Sequence, residues 1–335
     1  MAGKADRPAP SEGSETVEIS QPRANSGRIL NQTTHAGMRG RGYGLAGTTP
    51  GSPHAAFNLN GHVQQRRPLS WRVWSPAVIW TAIANQRRIV GAVLLRESRT
   101  RFGRTRLGYL WALAEPISHV MVMSIVYWAI NRRAPVGDNV ILFFITGVLP
   151  FFLFQKTARN LGGALRGGQT LLRLPLVNGM DLVMARALLE AVTWVCVTFI
   201  ILGFMVVTGR AHMPDHPLIC AAAAVATFGL GFGIGLVNAV LMTMWKSWVM
   251  IYPMITKPLY HFSAIFFFID RIPADLRYWL SWNPMMHSVQ WFRQGYITEY
   301  ASVTLDPDYL LKWAIASILL GLCLERVTQR QVQSA

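Results

Sequence analysis

Six apolar stretches punctuate the chain from Leu107 onwards: Leu107–Ile130, Val140–Ala158, Leu182–Thr208, Leu218–Met242, Trp248–Ile269 and Leu310–Leu324. About 20 apolar residues in a helix cross a bilayer, so the pattern predicts an all-α integral membrane protein with six transmembrane helices. The last stretch is short and carries Lys312 near its start, where the stem can snorkel to the interface. Ahead of the first stretch, Pro76–Arg101 reads as an amphipathic helix. Ile79, Ile83, Val90 and Leu94 share one face and Arg88, Arg96 and Arg99 the other, with Arg87 and Arg101 as mismatches. Such a helix lies along a membrane surface, and Gly103 ends it.

Two connections are too long to be turns. Arg159–Asp181 holds Gly162, Gly163, Gly167, Gly168 and Pro175 around a short basic amphipathic piece, and Asp270–Tyr309 contains two short helical stretches, Leu276–Trp282 and Met285–Tyr296. Residues 1–70 have no hydrophobic period and are rich in Gly, Ser, Pro, Thr, Asn and Arg. They read as a disordered basic tail that cannot offset its conformational entropy by burial. Two other readings stay open for it: contact with anionic headgroups through Arg39, Arg41, Arg66 and Arg67, or a misassigned start. Three regions result: the tail 1–70, an interfacial or gate helix within 71–106, and a six-span domain over 107–330.

Charge sets the orientation. With 52% of the 335 residues apolar and only 14% charged, the composition is that of a membrane protein, and a formal charge of +16 is then a matter of topology. Fifteen Lys and Arg fall on one side: seven from Arg87 to Arg106, then Lys156, Arg159, Arg166, Arg173, Arg186, Lys246, Arg326 and Arg330. Seven fall on the other: Arg132, Arg133, Arg210, Arg271, Arg277, Arg293 and Lys312. The positive-inside rule puts both termini in the cytoplasm, in line with a first segment that lacks the apolar core of a secretory signal. Nucleic acid is not an expected partner. Cys196, Cys220 and Cys323 lie in apolar runs without metal-ligand spacing and read as small buried hydrophobes. The chain has no phosphate-cradling G-x-x-x-x-G-K-[ST] loop, no H-E-x-x-H and no G-x-S-x-G. It is expected to perform no covalent chemistry and to hold no cofactor or metal, so any ATP and magnesium must sit on a separate polypeptide.

The run Leu95-Arg96-Glu97-Ser98-Arg99-Thr100-Arg101-Phe102-Gly103, with Leu107-Gly108-Tyr109-Leu110-Trp111 and Glu115-Pro116, resembles the opening of type-2 ABC exporter permeases of the capsular-polysaccharide and O-antigen family. Lys257-Pro258-Leu259 with Ser263-Ala264-Ile265-Phe266-Phe267 continues the likeness, as do Asn283-Pro284-Met285-Met286-His287 and Phe292-Arg293-Gln294-Gly295-Tyr296. The last two pieces look closer to the capsular branch, whereas the 70-residue tail departs from the family. The resemblance covers roughly residues 75–330 and implies two permeases working with two ATPase subunits, the polymer passing between the permeases. It further implies a cytoplasmic coupling helix in Arg159–Asp181, with Arg166, Gln169, Arg173 and Pro175 as coupling residues. A gate in Arg96–Arg106 follows, with Arg96, Arg99, Arg101, Arg104, Tyr109 and Trp111 at the entrance. Re-entrant or periplasmic helices between spans five and six would shape the exit, with Lys257, Tyr260, Trp282, His287 and Arg293 as channel or exit candidates. Implied partners are the ATPase, a second copy of the chain, a lipid-linked polysaccharide, and periplasmic and outer-membrane export proteins, all centred on the bacterial inner membrane.

The residue chemistry suits such a cargo. Arg pairs bidentately with phosphate oxygens, and Trp and Tyr offer flat faces to sugar rings; the same aromatics also suit an interfacial belt. Glu115 and His119 share a helical face inside the first span. They are either functional or a structural pair with each other and a neighbouring helix. Lys257, beside Pro258, sits where the fifth span is expected to break, facing either a wet cavity or a structural partner. His287 and Arg293 read as glycan contacts or as a solvated helix face. Two rivals share parts of the pattern: a type-2 ABC permease for a drug or lipid, and a polytopic glycosyl- or acyltransferase. The transferase would need an acid–base pair or metal-binding carboxylates that the chain does not display.

Overall fold

A computed structural model describes residues 76–102, 108–137, 139–172, 177–297 and 300–334. The regular structure of these residues is helical: α1 Pro76–Phe102, α2 Gly108–Ala129, α3 Val140–Gly162, α4 Ala164–Gly167, α5 Gln169–Leu172, α6 Gly179–Val207, α7 Pro217–Met244, α8 Trp248–His261, α9 Ala274–Ser281, α10 Pro284–Tyr296 and α11 Pro307–Ser334, with a 3₁₀ turn at Ile269–Arg271. The tail, Arg104, Arg173 and Pro175 lie outside the described residues. By length and composition, four of the described helices suit a membrane crossing: Leu110–Ala129, Val140–Gly162, Gly179–Val207 and Pro217–Met244.

α3 is the core of the bundle. In its apolar window 72% of residues are buried, against 17% for α2, so most of the α2 surface has no partner within one subunit. Phe143, Phe144, Phe151 and Phe152 of α3 anchor the main hydrophobic cluster with Trp194, Leu230, Met285 and Leu310. α7 packs between α3 and α11 because its glycines form two stripes four residues apart. Gly231 and Gly235 face α3, where an added Cβ would come within 3.1 Å of the Phe154 carbonyl oxygen and 2.8 Å of Leu161 Cβ. Gly229 and Gly233 face α11, at Ala314 and at Ser317–Ile318. Small residues let helix backbones meet closely where lipid supplies no hydrophobic drive.

Four expectations change. The fifth apolar stretch is helical only to His261; fourteen residues rise about 21 Å, less than a hydrocarbon core of about 30 Å. α8 runs unbroken through Pro253 and Pro258, so Lys257 is not at a break. The described part of the long connection after α3 holds two four-residue helices where the resemblance implied one coupling helix, because Gly163 and Gly168 end successive turns. Cys196 and Cys323 are exposed on the apolar surface and only Cys220 is buried.

Candidate functional site

α2, α3 and α8 bring ionisable and aromatic side chains together where the three helices meet. Glu115 of α2 pairs with Lys156 of α3, its Oε2 2.5 Å from Nζ, and Lys156 stands 5.7 Å over the Phe152 ring. His119, one turn on from Glu115, does not pair with it. Its Nδ1 lies 3.3 Å from the Tyr260 hydroxyl of α8, and its ring meets Phe152 and Tyr260 edge to face. Tyr260 also packs on Phe151 and Phe266. Both groups on the α2 face thus find partners on neighbouring helices. Lys156, counted in the sequence as a connection cation, lies within α3.

The backbone after α8 is non-helical yet packed inside the bundle, and side chains from elsewhere hold it. Asn283 Nδ2 donates to the Phe262 carbonyl (3.1 Å). Arg293 donates to Ala264 (2.6 Å), Ile265 (2.8 Å) and, on α3, Phe143 (3.1 Å). The Tyr127 hydroxyl donates to Phe266 (2.6 Å). Irregular backbone packed inside a helical bundle persists only where such donors replace the helix's own. Arg293 is fully buried, stacked 3.8 Å over Phe143, and Gly147 makes room for it: a Cβ there would lie 2.5 Å from Nη2. Asn283 has a second role, capping α10 by accepting from Met285 N–H (2.9 Å) with Pro284 at the first helical position.

His287 is buried too, its Nε2 2.8 Å from the Ser281 carbonyl and its Nδ1 accepting from Asp306 N–H (3.1 Å). Those partners fix a neutral ring protonated on Nε2. Burial lowers its pKa below the ordinary histidine value, against smaller opposing effects of the Ser281 hydrogen bond and Asp306. The solvated face expected for His287 and Arg293 is therefore replaced by packed, hydrogen-bonded positions. A sequence pattern does not separate these cases, since both residues sit on a short polar helix.

At the end of the bundle that carries α1, a polar network ties four elements. Glu97 of α1 pairs with Arg186 of α6 (2.6 Å). Arg186 donates to the Asn160 carbonyl at the end of α3 (3.2 Å) and packs over Gly163 and Gly167 of the α4 segment. Asn160 donates to Glu190 (2.7 Å). Gln86 reaches Asp181 (2.5 Å), which also completes the capping box of α6 by accepting from Asn178 N–H. Beneath it, Val93 packs with Leu182 and Ala185, with Ile89, Val90, Leu94, Leu171 and Val177 around them. The apolar face of α1 in this part meets protein, and not only the membrane surface that amphipathicity predicts. Gln86, Glu97, Asp181 and Arg186 were missed because sequence separates them by up to a hundred residues; the Asn178-x-x-Asp181 spacing was the one local signal.

The remaining candidates scatter. Arg96 and Arg99 are exposed on α1, Arg101 is in α1 and Tyr109 in α2, and Trp111 is exposed on α2. Arg166 and Gln169 are exposed on α4 and α5, Lys257 on α8 and Trp282 after α9, while Tyr260 is buried in the aromatic cluster.

Four helices long and apolar enough to cross a bilayer define a polytopic membrane protein. Residues 89–297, more than half of the chain, match the family of ABC-2 type transporters, and the chain belongs to that family. It is 31% identical over 244 residues to the polysialic acid transport protein KpsM of Escherichia coli, covering 73% of this chain and 95% of that protein. The capsule polysaccharide export inner-membrane protein CtrC of Neisseria meningitidis is 27% identical over 71% of this chain and 89% of its own length. The O-antigen export permease RfbA of Klebsiella pneumoniae is 20% identical over 64% and 85%.

Proposed function

We propose that the chain is the membrane-spanning permease of an ATP-driven exporter that carries a lipid-linked polysaccharide of capsular or O-antigen type across the bacterial inner membrane. The observation that carries this reading is similarity over nearly the full length of a polysialic acid transport protein and a capsule polysaccharide export inner-membrane protein. Two copies stand side by side with two ATPase subunits, which bind the ATP and magnesium. α8 with the irregular segment after it forms the fifth crossing and α11 the sixth, leaving both termini in the cytoplasm. The α4–α5 connection, with Arg166, Gln169, Arg173 and Pro175, receives the ATPase stroke. Arg96, Arg99, Arg101 and Arg104 meet the phosphate of the cargo at the entrance, beside Tyr109 and Trp111. The α2–α3–α8 face lines the route, where the part-exposed Glu115–Lys156 pair offers hydrogen bonds and the buried Tyr260 with its neighbouring rings holds that face in place. Lys257 and Trp282, exposed on one subunit, meet the polymer or the second copy further along. Arg293 and His287 shape the exit by holding its backbone, not by touching glycan.

The test is ATP hydrolysis by the purified permease–ATPase complex with lipid-linked polysaccharide added. Turnover should rise with the glycolipid, and Arg99→Ala with Arg104→Ala should remove the rise. A complex indifferent to glycolipid would move the cargo to a drug or simple lipid, and failure to bind any ATPase would overturn the exporter reading.

A further inference from the structure

On the side of α2 away from Glu115 and His119, an apolar groove of about 600 Å³ runs between α2 and α6 with α3 as its floor. At 100° per residue, Ile117 and Met121 point about 200° from Glu115 and His119, so this face is separate from the one described above. Ile117, Met121 and Trp128 form one wall, Ile145 and Val148 the floor and Phe204 the other wall. Apart from the Trp128 indole, Ser124 is the only polar side chain lining it among the described residues, and its hydroxyl is spent on the Val120 carbonyl (2.7 Å). The wall from Leu113 to Trp128 rises about 22 Å, longer than a leaflet of about 15 Å.

Both walls end, at the end of the bundle away from α1, in a tight turn followed by arginine. After α2, Asn131 turns at φ 51° and Arg132 and Arg133 follow. After α6, Gly209 turns at φ 68° and Arg210 follows, its N–H donating to the carbonyl of Met205, itself a lining residue (2.9 Å). All three arginines are exposed. In the proposed orientation they lie on the outer face, where Lys and Arg are ordinarily scarce. An apolar slot ending in cations fits a molecule with a hydrocarbon chain and a negative head.

We propose that this groove is a binding site for one anionic phospholipid of the bilayer, its acyl chain along α3 and its phosphate on Arg133 and Arg210. A phospholipid suits the site better than the cargo, because Trp128 is the one ring in the lining that a sugar could stack on and the rest is aliphatic apart from Phe204 and the spent Ser124 hydroxyl. The lipid fills the space that leaves α2 thinly packed and so fixes the helix whose other face carries Glu115 and His119.

Native mass spectrometry of the full chain released from detergent, with phosphatidylglycerol or phosphatidylcholine added, tests this. One phosphatidylglycerol per chain should be retained, with an apparent affinity about tenfold or more above phosphatidylcholine. Arg133→Gln with Arg210→Gln should erase that preference. Ile117→Trp with Ile200→Trp, at positions exposed in the groove, should expel the lipid while helix content and gel-filtration volume stay unchanged. Equal retention of both lipids, or retention unchanged by the tryptophans, would overturn the site. So would a retained mass that carries glycan, or a self-association that the tryptophans abolish, since each names another occupant.

Discussion

A guanidinium with no exposed surface has to be compensated where it stands, and Arg293 is compensated by backbone carbonyls on two elements and by the Phe143 ring. Its planar fork reaches several oxygens at once, which the single nitrogen of lysine does not. Arg293→Lys should therefore lower the yield of folded protein, and Arg293→Met, which leaves buried carbonyls without donors at about 1–3 kcal/mol each, should abolish it; fluorescence-detected gel filtration of detergent extracts reads both. His287 adds a pH dependence. Its pKa in the folded protein is depressed by burial, so its contribution is complete above the ordinary histidine value of about 6.5 and is lost as pH falls through the depressed value. Thermal stability should drop between pH 7 and pH 5, and His287→Gln should flatten that drop. Neither role was legible in the sequence, because a buried arginine and a solvated one occupy the same kind of position on a short helix; only the tertiary partners at Ala264, Ser281 and Asp306 tell them apart.

Helix spacing explains both what hydropathy found and what it missed. The long apolar runs at 140–158, 182–208 and 218–242 and both short helices before Tyr296 are present as helices, since burial or lipid satisfies an apolar face wherever it turns. The end of α8 was missed because Ser263–Phe267 is as apolar as the helix before it. What holds the non-helical course beyond His261 is Arg293, 28 residues later in sequence than Ile265, which donates to the Ala264 and Ile265 carbonyls. The glycine stripes of α7 were visible as residues but not as contacts. They make a sharp prediction. Gly233→Ala would press a methyl to 2.6 Å from the backbone nitrogen of Ile318, an overpacking that costs about 1–3 kcal/mol. Gly203→Ala meets nothing within 4 Å and should be neutral or stabilise by up to about 1 kcal/mol. Melting curves of the two variants in detergent should move in these different directions; equal shifts would show that the α7–α11 contact is not tight.

At the scale of the molecule, Arg186 joins the part that would receive force to the part that would open. Its guanidinium pairs with Glu97 of α1, donates to the end of α3 and lies over Gly163 and Gly167 of the α4 segment. Leu171 of α5 packs against the cluster that Val93 of α1 forms with Leu182 and Ala185 of α6. Under the proposed function, a push on α4 and α5 would reach α1 through these packed side chains and the ion pair, and α1 carries Arg96 and Arg99, the proposed entrance residues. If the proposed function holds, Arg186→Met should leave assembly with the ATPase intact, because Arg166 and Gln169 on the docking side remain exposed and unchanged. The glycolipid-stimulated part of ATP hydrolysis should fall by about 2- to 30-fold, the range that mutations in coupling networks produce, while unstimulated hydrolysis stays near its original rate. Glu97→Gln should give a milder version of the same loss, since it keeps the packing over the glycines and removes only the ion pair. A variant that lowers stimulated and unstimulated hydrolysis together would place Arg186 in the docking surface itself. One that changes neither would mean that α1 moves independently of α4, and the path from ATPase to gate would have to run through α3 and α7.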